Sequence, residues 1–181
     1  GGVLSTIYDT DSPKQMKAII ENSGAKMLIV ETKEMKAKAE LAEIGKICQV
    51  FCMEDEALEA IKAYGQSVSD EDLNRRIDAV QKTDLCSIVY TSGSTSAPKG
   101  VEITHENFCA AASTLAAYLP SILADPKGSA LLFLPMAHVF ARTINYMCVF
   151  SRVRAYISSN FKNLVSDLQY SKPTAMIGVP R

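Results

Sequence analysis

Short apolar runs separated by capped segments of helical length dominate this chain. That alternation restricts its fold more than any other feature. Met27–Val30, Ile47–Cys52, Leu85–Tyr90, Val101–Ile103, Ala130–Leu134, a run near 153–158 and residues 174–178 read as strands. Met27–Val30 and Leu85–Tyr90 are near-continuous apolar runs, as expected of strands buried on both faces. Ser12-Pro13-Lys14-Gln15 has the form of a capping box with proline at the first helical position. Met16, Ile19 and Ile20 then give an apolar face, and Gly24 a stop. Residues 33–44 read as a helix stopped by Gly45, and 55–64 and 70–80 as two acidic helices, the second opened by Ser69. Thr104 can cap a helix running to about Tyr118, and helices over 137–149 and 161–171 complete the series. Strands that alternate with helices pair in parallel through right-handed crossovers. The expectation is a layered α/β fold with a mostly parallel β-sheet and helices on both faces, built as a single α/β region over residues 1–181. The expected joints are near 65–69 and 121–129.

With 181 residues the chain can bury a core without disulfides or metals. A net charge of −1 supplies no global field to draw it toward nucleic acid, and no nucleic-acid partner is expected. The charge is unevenly spread. Residues 1–84 carry 11 basic and 16 acidic side chains, and residues 85–181 carry 8 and 4, so an anionic ligand belongs with the second half. No uncharged apolar run reaches the roughly 18–20 residues of a membrane span. No basic leader precedes an apolar stretch. Cys48, Cys52, Cys86, Cys109 and Cys148 are odd in number and mostly lie in apolar runs, as reduced core thiols of an intracellular protein do. Cys48 and Cys52 have no second pair to complete a zinc site, and the two histidines, His105 and His138, are far apart. No metal site is expected within this chain.

The segment Thr91-Ser92-Gly93-Ser94-Thr95-Ser96-Ala97-Pro98-Lys99-Gly100 directly follows a strand. It holds five hydroxyl residues, two glycines and a lysine. Glycine lets a backbone approach a ligand closely, hydroxyls and amides donate hydrogen bonds, and lysine adds a mobile positive charge. Together they suit the oxygens of a polyphosphate. The same residue types are ordinary turn formers, so a plain surface loop is the competing reading. A nucleotide-hydrolase phosphate loop does not fit, because Lys99 lies between Pro98 and Gly100 rather than in a Gly-Lys-Ser/Thr run.

Tyr90 through Thr95, Pro98-Lys99-Gly100-Val101 and Thr104-His105-Glu106-Asn107 resemble the phosphate-loop signature of the adenylate-forming enzymes. Leu134-Pro135-Met136-Ala137-His138-Val139-Phe140-Ala141-Arg142 resembles their Leu-Pro-x-x-His segment in the form found in long-chain fatty acyl-CoA ligases. Lys172-Pro173-Thr174 through Val179-Pro180-Arg181, the opening Ile7–Pro13, and Ser23–Lys26 fit the same subgroup, so the resemblance spans essentially the whole chain.

The resemblance implies part of the large N-terminal domain of an acyl-CoA synthetase-like fold. It also implies a ligase that joins a fatty acid to AMP with ATP and Mg2+, releases pyrophosphate, and passes the acyl group to coenzyme A. Thr91, Ser92, Gly93, Ser94, Thr95, Lys99 and Gly100 would hold the ATP phosphates, and His138 would position the acyl carboxylate and AMP. The other readings are a fatty acyl-AMP ligase or other adenylation domain, and a non-catalytic nucleotide-binding module. His138 alone also reads as a helix-capping histidine, His105 as a helix-start residue, Arg142 as a solvated arginine, and Tyr90 as core. Ser96 stands where the family usually has glycine, which strains the loop if a positive φ is needed there. Family members continue well beyond their match to Arg181. Their adenine-binding, Mg2+-recruiting and ribose-binding residues and their small C-terminal domain with its catalytic lysine have no counterpart here. The implied picture is a truncated domain, inactive in adenylation alone, with exposed apolar surface that favours self-association. The implied location is cytoplasmic. Lipophilic substrates leave peripheral membrane association open, although no segment reads as an amphipathic anchor.

Overall fold

A computed structural model describes residues 1–91, 98–120 and 128–178. The chain forms two compact units, Gly1–Ile103 and Thr104–Arg181.

In the first unit, β1 (Leu4–Thr6) lies beside β4 (Leu85–Thr91), with β5 (Lys99–Thr104) on the other side of β4. β1 runs parallel to β4 with Leu4 opposite Ser87. The Ser87 hydroxyl, 1% exposed, donates to the Leu4 carbonyl at 2.6 Å, which satisfies a polar group in the middle of a buried strand. A separate pair, β2 (Met27–Val30) and β3 (Gln49–Cys52), is also parallel.

Helix α1 (Pro13–Ser23) forms as its signals dictate. Ser12 accepts from the Gln15 amide, the Gln15 side chain returns to the Ser12 amide, Pro13 opens the first turn, and Gly24 closes the helix at φ 64°. Met16 and Ile20 of α1 pack with Leu28, Val30, Ala39, Ala42, Ile44, Cys48 and Cys52 into one core. That core covers one face of β2 only, so Met27 and Ile29 stay exposed, contrary to the two-sided burial read from its apolar run. Period-two alternation decided this outcome, because one helical layer can bury only every second residue of a strand.

Helix α2 (Lys33–Leu41) stops earlier than expected. The left-handed residue is Glu43 at φ 56°, and Gly45 sits inside a 3-10 turn, Ile44–Lys46. The chain breaks there because that turn drives Ile44 to full burial. α3 (Ala57–Gly65) and α4 (Asp70–Asp78) follow, the latter capped by Ser69. Lys36 and Lys33 flank Asp55 at 2.6 and 3.4 Å. Their hydrogen bonds and charge, Lys36 foremost, hold that carboxyl below its usual range.

In the second unit, β6 (Ser129–Leu132) is the middle strand, parallel to β7 (Arg154–Ile157) on one side and to β8 (Ala175–Met176) on the other. All four β6 residues are buried. Helices α5 (His105–Tyr118) and α6 (Val139–Phe150) pack on each other and on this sheet through Ala112, Ile144, Met147 and Cys148, with Ala130, Leu132 and Val153 in the same core. α7 (Leu164–Ser171) ends at Lys172 in the left-handed region, φ 42°. Two residues later Thr174 closes the sheet. Its hydroxyl accepts from the Ser129 amide and donates to the Ser129 carbonyl, both at 2.9 Å.

The α/β class and the parallel pairing of β2–β3, β6–β7 and β6–β8 are as expected, and β1, a strand that the sequence reading did not include, adds a further parallel pair with β4. Among the described residues the strands fall into three small sheets. All five cysteines are free, but Cys109 is exposed rather than buried. Burial pushes the Cys48 and Cys148 thiols up, away from reactive thiolate chemistry. No helix among the described residues is long and apolar enough to cross a membrane.

Candidate functional site

Ligands of parallel α/β sheets gather beyond the carboxyl ends of the strands. Thr91 is the last residue of β4 and is exposed there. Lys99, also exposed, is the first residue of β5, and Gly100 is the second. Thr91 thus ends one strand, and Lys99 and Gly100 begin its neighbour in the same sheet. Ser92, Gly93, Ser94 and Thr95, and the departure at Ser96, lie outside the described residues. Among the described residues no carboxylate pairs with Lys99, and both Lys99 and Thr91 are exposed. A cation and a hydroxyl at a strand's carboxyl end fit an anionic, oxygen-rich ligand such as a phosphate chain.

The floor under these stems is Tyr90. It is 6% exposed and its hydroxyl donates to the Asn22 side-chain oxygen at 2.6 Å. Burial pushes its phenol up, so it stays neutral. Gly100 lies against the same ring. A Cβ placed there would sit 3.1 and 3.2 Å from Tyr90 Cζ and Cε1 and 2.8 Å from Ile88 Cγ2. Glycine is thus demanded at 100 by the close approach of β4 side chains, a requirement that no local signal announces.

His138 lies in the second unit. The turn closed by its amide on the Pro135 carbonyl (2.9 Å) sets it at the N-cap of α6, exposed. Its side chain makes no capping bond to the helix, so capping does not account for the residue. At the start of α5 the cap is Thr104, exchanging hydrogen bonds with Asn107, and His105 is simply the first helical residue.

Arg142 departs from its expected solvated state. It is 4% exposed, with its guanidinium carbon 5.6 Å from the Phe108 ring centre. Phe108 in turn tilts against Tyr146 at 4.7 Å. This arginine–aromatic stack joins α5 and α6, and a buried guanidinium is favoured over an aromatic face. Sequence spacing placed Arg142 on the His138 side of its helix but carried no sign of its burial.

A depression of about 320 Å³ near the start of β7 is lined by Cys148, Arg152 and Arg154, among others, and by none of the candidate residues. No cluster of possible metal ligands occurs among the described residues.

Comparison with known proteins gives the family and the fold. The AMP-binding enzyme family matches residues 1–181, and the chain belongs to that family. A long-chain-fatty-acid–CoA ligase of Mycobacterium tuberculosis is 35% identical over 187 residues, covering 100% of this chain and 31% of that protein. Long-chain-fatty-acid–CoA ligase 1 of Schizosaccharomyces pombe is 26% identical, covering 98% of this chain and 29% of that protein. The chain thus spans about a third of the length of these relatives. Among solved structures, ATP-bound MatB from Rhodopseudomonas palustris superposes with a TM-score of 0.73 at 21% identity, covering 99% of this chain and 35% of that one. The o-succinylbenzoate CoA synthetase of Bacillus subtilis gives 0.74 at 18% identity, covering 96% of this chain and 33% of that one. These two likenesses establish the adenylate-forming N-terminal domain fold.

Proposed function

We propose that this chain is the phosphate-gripping part of an ATP-dependent long-chain fatty acid–CoA ligase. One observation carries the reading. In a chain matched throughout by the AMP-binding family, exposed Thr91 ends β4 and exposed Lys99 begins the neighbouring β5, with no carboxylate paired to Lys99 among the described residues. Thr91, Ser92, Gly93, Ser94, Thr95, Lys99 and Gly100 hold the β- and γ-phosphates of ATP. Fixing that tail keeps the α-phosphorus in line for attack by a fatty acid carboxylate oxygen, and positioning of this kind lowers the barrier. The new bond joins carboxylate oxygen to α-phosphorus. The bond between α-phosphorus and the bridging oxygen breaks, and pyrophosphate leaves with both bonding electrons. The Lys99 ammonium offsets the charge that builds on it. His138 positions the acyl carboxylate and AMP. Mg2+ bound with the nucleotide would neutralise phosphate charge. In the second half-reaction the coenzyme A thiol would attack the acyl carbon, a C–S bond forming as the bond from that carbon to the phosphate oxygen breaks, with AMP leaving and the thiol proton passing to solvent.

The test is fatty-acid-dependent exchange of labelled pyrophosphate into ATP by the native gene product carrying these residues, followed by detection of acyl-CoA. Lys99→Ala is expected to lower exchange per ATP bound by about 10- to 100-fold, the range for losing one charge-assisted hydrogen bond. Equal exchange by wild type and Lys99→Ala removes Lys99 from the nucleotide site. Adenylate without thioester makes the protein an acyl-AMP ligase instead.

This chain alone is also expected to self-associate. Ile157, Phe161 and Val165 are 71, 74 and 68% exposed on one compact unit, and solvated apolar side chains of that size favour pairing with a second copy. Sedimentation velocity should show mass rising with concentration. A single monomeric boundary at high concentration contradicts it.

A further inference from the structure

Tyr90 stands one residue before Thr91, and Gly100 one residue after Lys99. One side chain therefore touches both stems of the hydroxyl-rich segment. Its backbone belongs to β4, its ring covers Gly100 of β5, and its hydroxyl reaches Asn22 in the last turn of α1. α1 is itself immobilised by Met16, Ile19 and Ile20, which are 5, 3 and 3% exposed, and by its capping box. The ring alone would fill the space against Gly100 and Ile88, and phenylalanine would do that as well. A buried hydroxyl adds a desolvation cost that hydrogen bonding must offset, here the bond to Asn22 together with that of the Ser23 side chain, so its presence asks for a role beyond packing. What the hydroxyl adds is direction: the bond to Asn22 fixes the ring along its long axis, and so fixes where β5 can begin.

We propose that Tyr90, tied to Asn22 and seated on Gly100, is a positioning residue that sets the separation of Thr91 and Lys99 for a triphosphate ligand. The inference rests on the phosphate-holding role of those two residues, and it adds Tyr90 and Asn22 as the pair that tunes it. Tyr90 touches no reacting atom. It acts through the stems.

The experiment measures pyrophosphate exchange by the native gene product with Tyr90→Phe, Asn22→Leu and Asn22→Asp, alongside Lys99→Ala. Tyr90→Phe and Asn22→Leu are each expected to raise KM for ATP about fivefold, the equivalent of one neutral hydrogen bond, and to leave KM for the fatty acid unchanged. Asn22→Asp keeps an oxygen to accept from the phenol and is expected to restore KM for ATP to within about twofold of wild type. A purely structural role would instead lower the melting temperature with KM for ATP unchanged well below it, and that result overturns the proposal. If Lys99→Ala also leaves KM for ATP unchanged, the phosphate-holding reading has failed and takes this inference with it. If Lys99→Ala raises it while Tyr90→Phe does not, only the positioning role falls. Amide spectra of this chain give a readout independent of turnover. Tyr90→Phe should move the Thr91, Lys99 and Gly100 signals and leave that of Leu131 in the second unit in place, and unmoved stem signals refute the inference.

Discussion

Gly100→Val is expected to destabilise the chain by about 3 kcal/mol, the upper part of the usual range for forcing methyl groups into a packed site. The first added carbon already meets Ile88 Cγ2 at 2.8 Å and the Tyr90 ring at 3.1 Å. Valine's branches make both contacts worse. An opposing effect exists, because replacing glycine restricts the unfolded chain and favours folding by roughly 0.4–1 kcal/mol. The clash wins by its size. Gly100→Ala should therefore cost less than Gly100→Val but still lower the urea midpoint. The source of the clash can be checked directly. Ile88→Ala removes the nearest methyl, so Gly100→Ala should cost much less in that background, giving a coupling energy in a double-mutant cycle. A Gly100→Ala chain as stable as wild type would mean that the β4 side chains move aside freely, and the tight seat described for Tyr90 would be lost with them.

Ile44→Ala should have an effect of similar or larger size in the same unit. Ile44 is fully buried and sits among Met16, Ile20, Leu28, Val30 and Ala39. Removing three carbons from such a site typically costs about 2–5 kcal/mol, because the surroundings only partly collapse into the space. Against a total stability of about 5–15 kcal/mol for a typical domain, that is enough to unfold a substantial share of molecules near body temperature. Ile44→Val, which deletes one methyl group, should cost about 0.5–1.5 kcal/mol. Urea unfolding followed by circular dichroism measures both, with the slope unchanged if the native fold is retained. A midpoint for Ile44→Ala within error of wild type would show that the 3-10 turn carrying Ile44 is not part of the cooperative core.

The two substitutions bear on function differently. Gly100 borders Lys99, so its replacement should disturb nucleotide affinity as well as stability. Ile44 belongs to the core that holds α1 and β2, so its effect should be on stability, with affinity per folded molecule preserved. Measuring both quantities on both variants separates the seat of the loop from the core beneath it.

The local signals in the sequence were strong where chemistry acts within a few residues. The Ser12–Gln15 box, the Gly24 stop and the Ser69 and Thr104 caps all formed as read, because each is a hydrogen bond or a backbone preference closed inside one turn. Apart from β1, the order of strands and helices, and hence the parallel pairing, was legible for the same reason: hydrophobic period and breakers are local properties. The resemblance of residues 90–107 and 134–142 to the adenylate-forming enzymes pointed to the family that the whole chain matches.

Other features depended on which face of an element found a partner. Met27 and Ile29 read as core and are exposed, since only one side of β2 is covered. Arg142 read as solvated and is buried over Phe108, since α5 and α6 pack together and bring that ring to it. Gly45 read as the helix stop, yet the left-handed turn fell on Glu43 so that Ile44 could point into the core. Within the candidate site the amino-acid order alone supplied Thr91, Lys99 and Gly100 as a set. Only the tertiary structure revealed that Gly100 must lack a side chain because Tyr90 and Ile88 press against it, and that Asn22, 68 positions from Tyr90, holds the phenol. Side-chain chemistry and spacing are written along the chain. Contacts between distant segments depend on how their surfaces fit, and that fit exists only once the chain has folded.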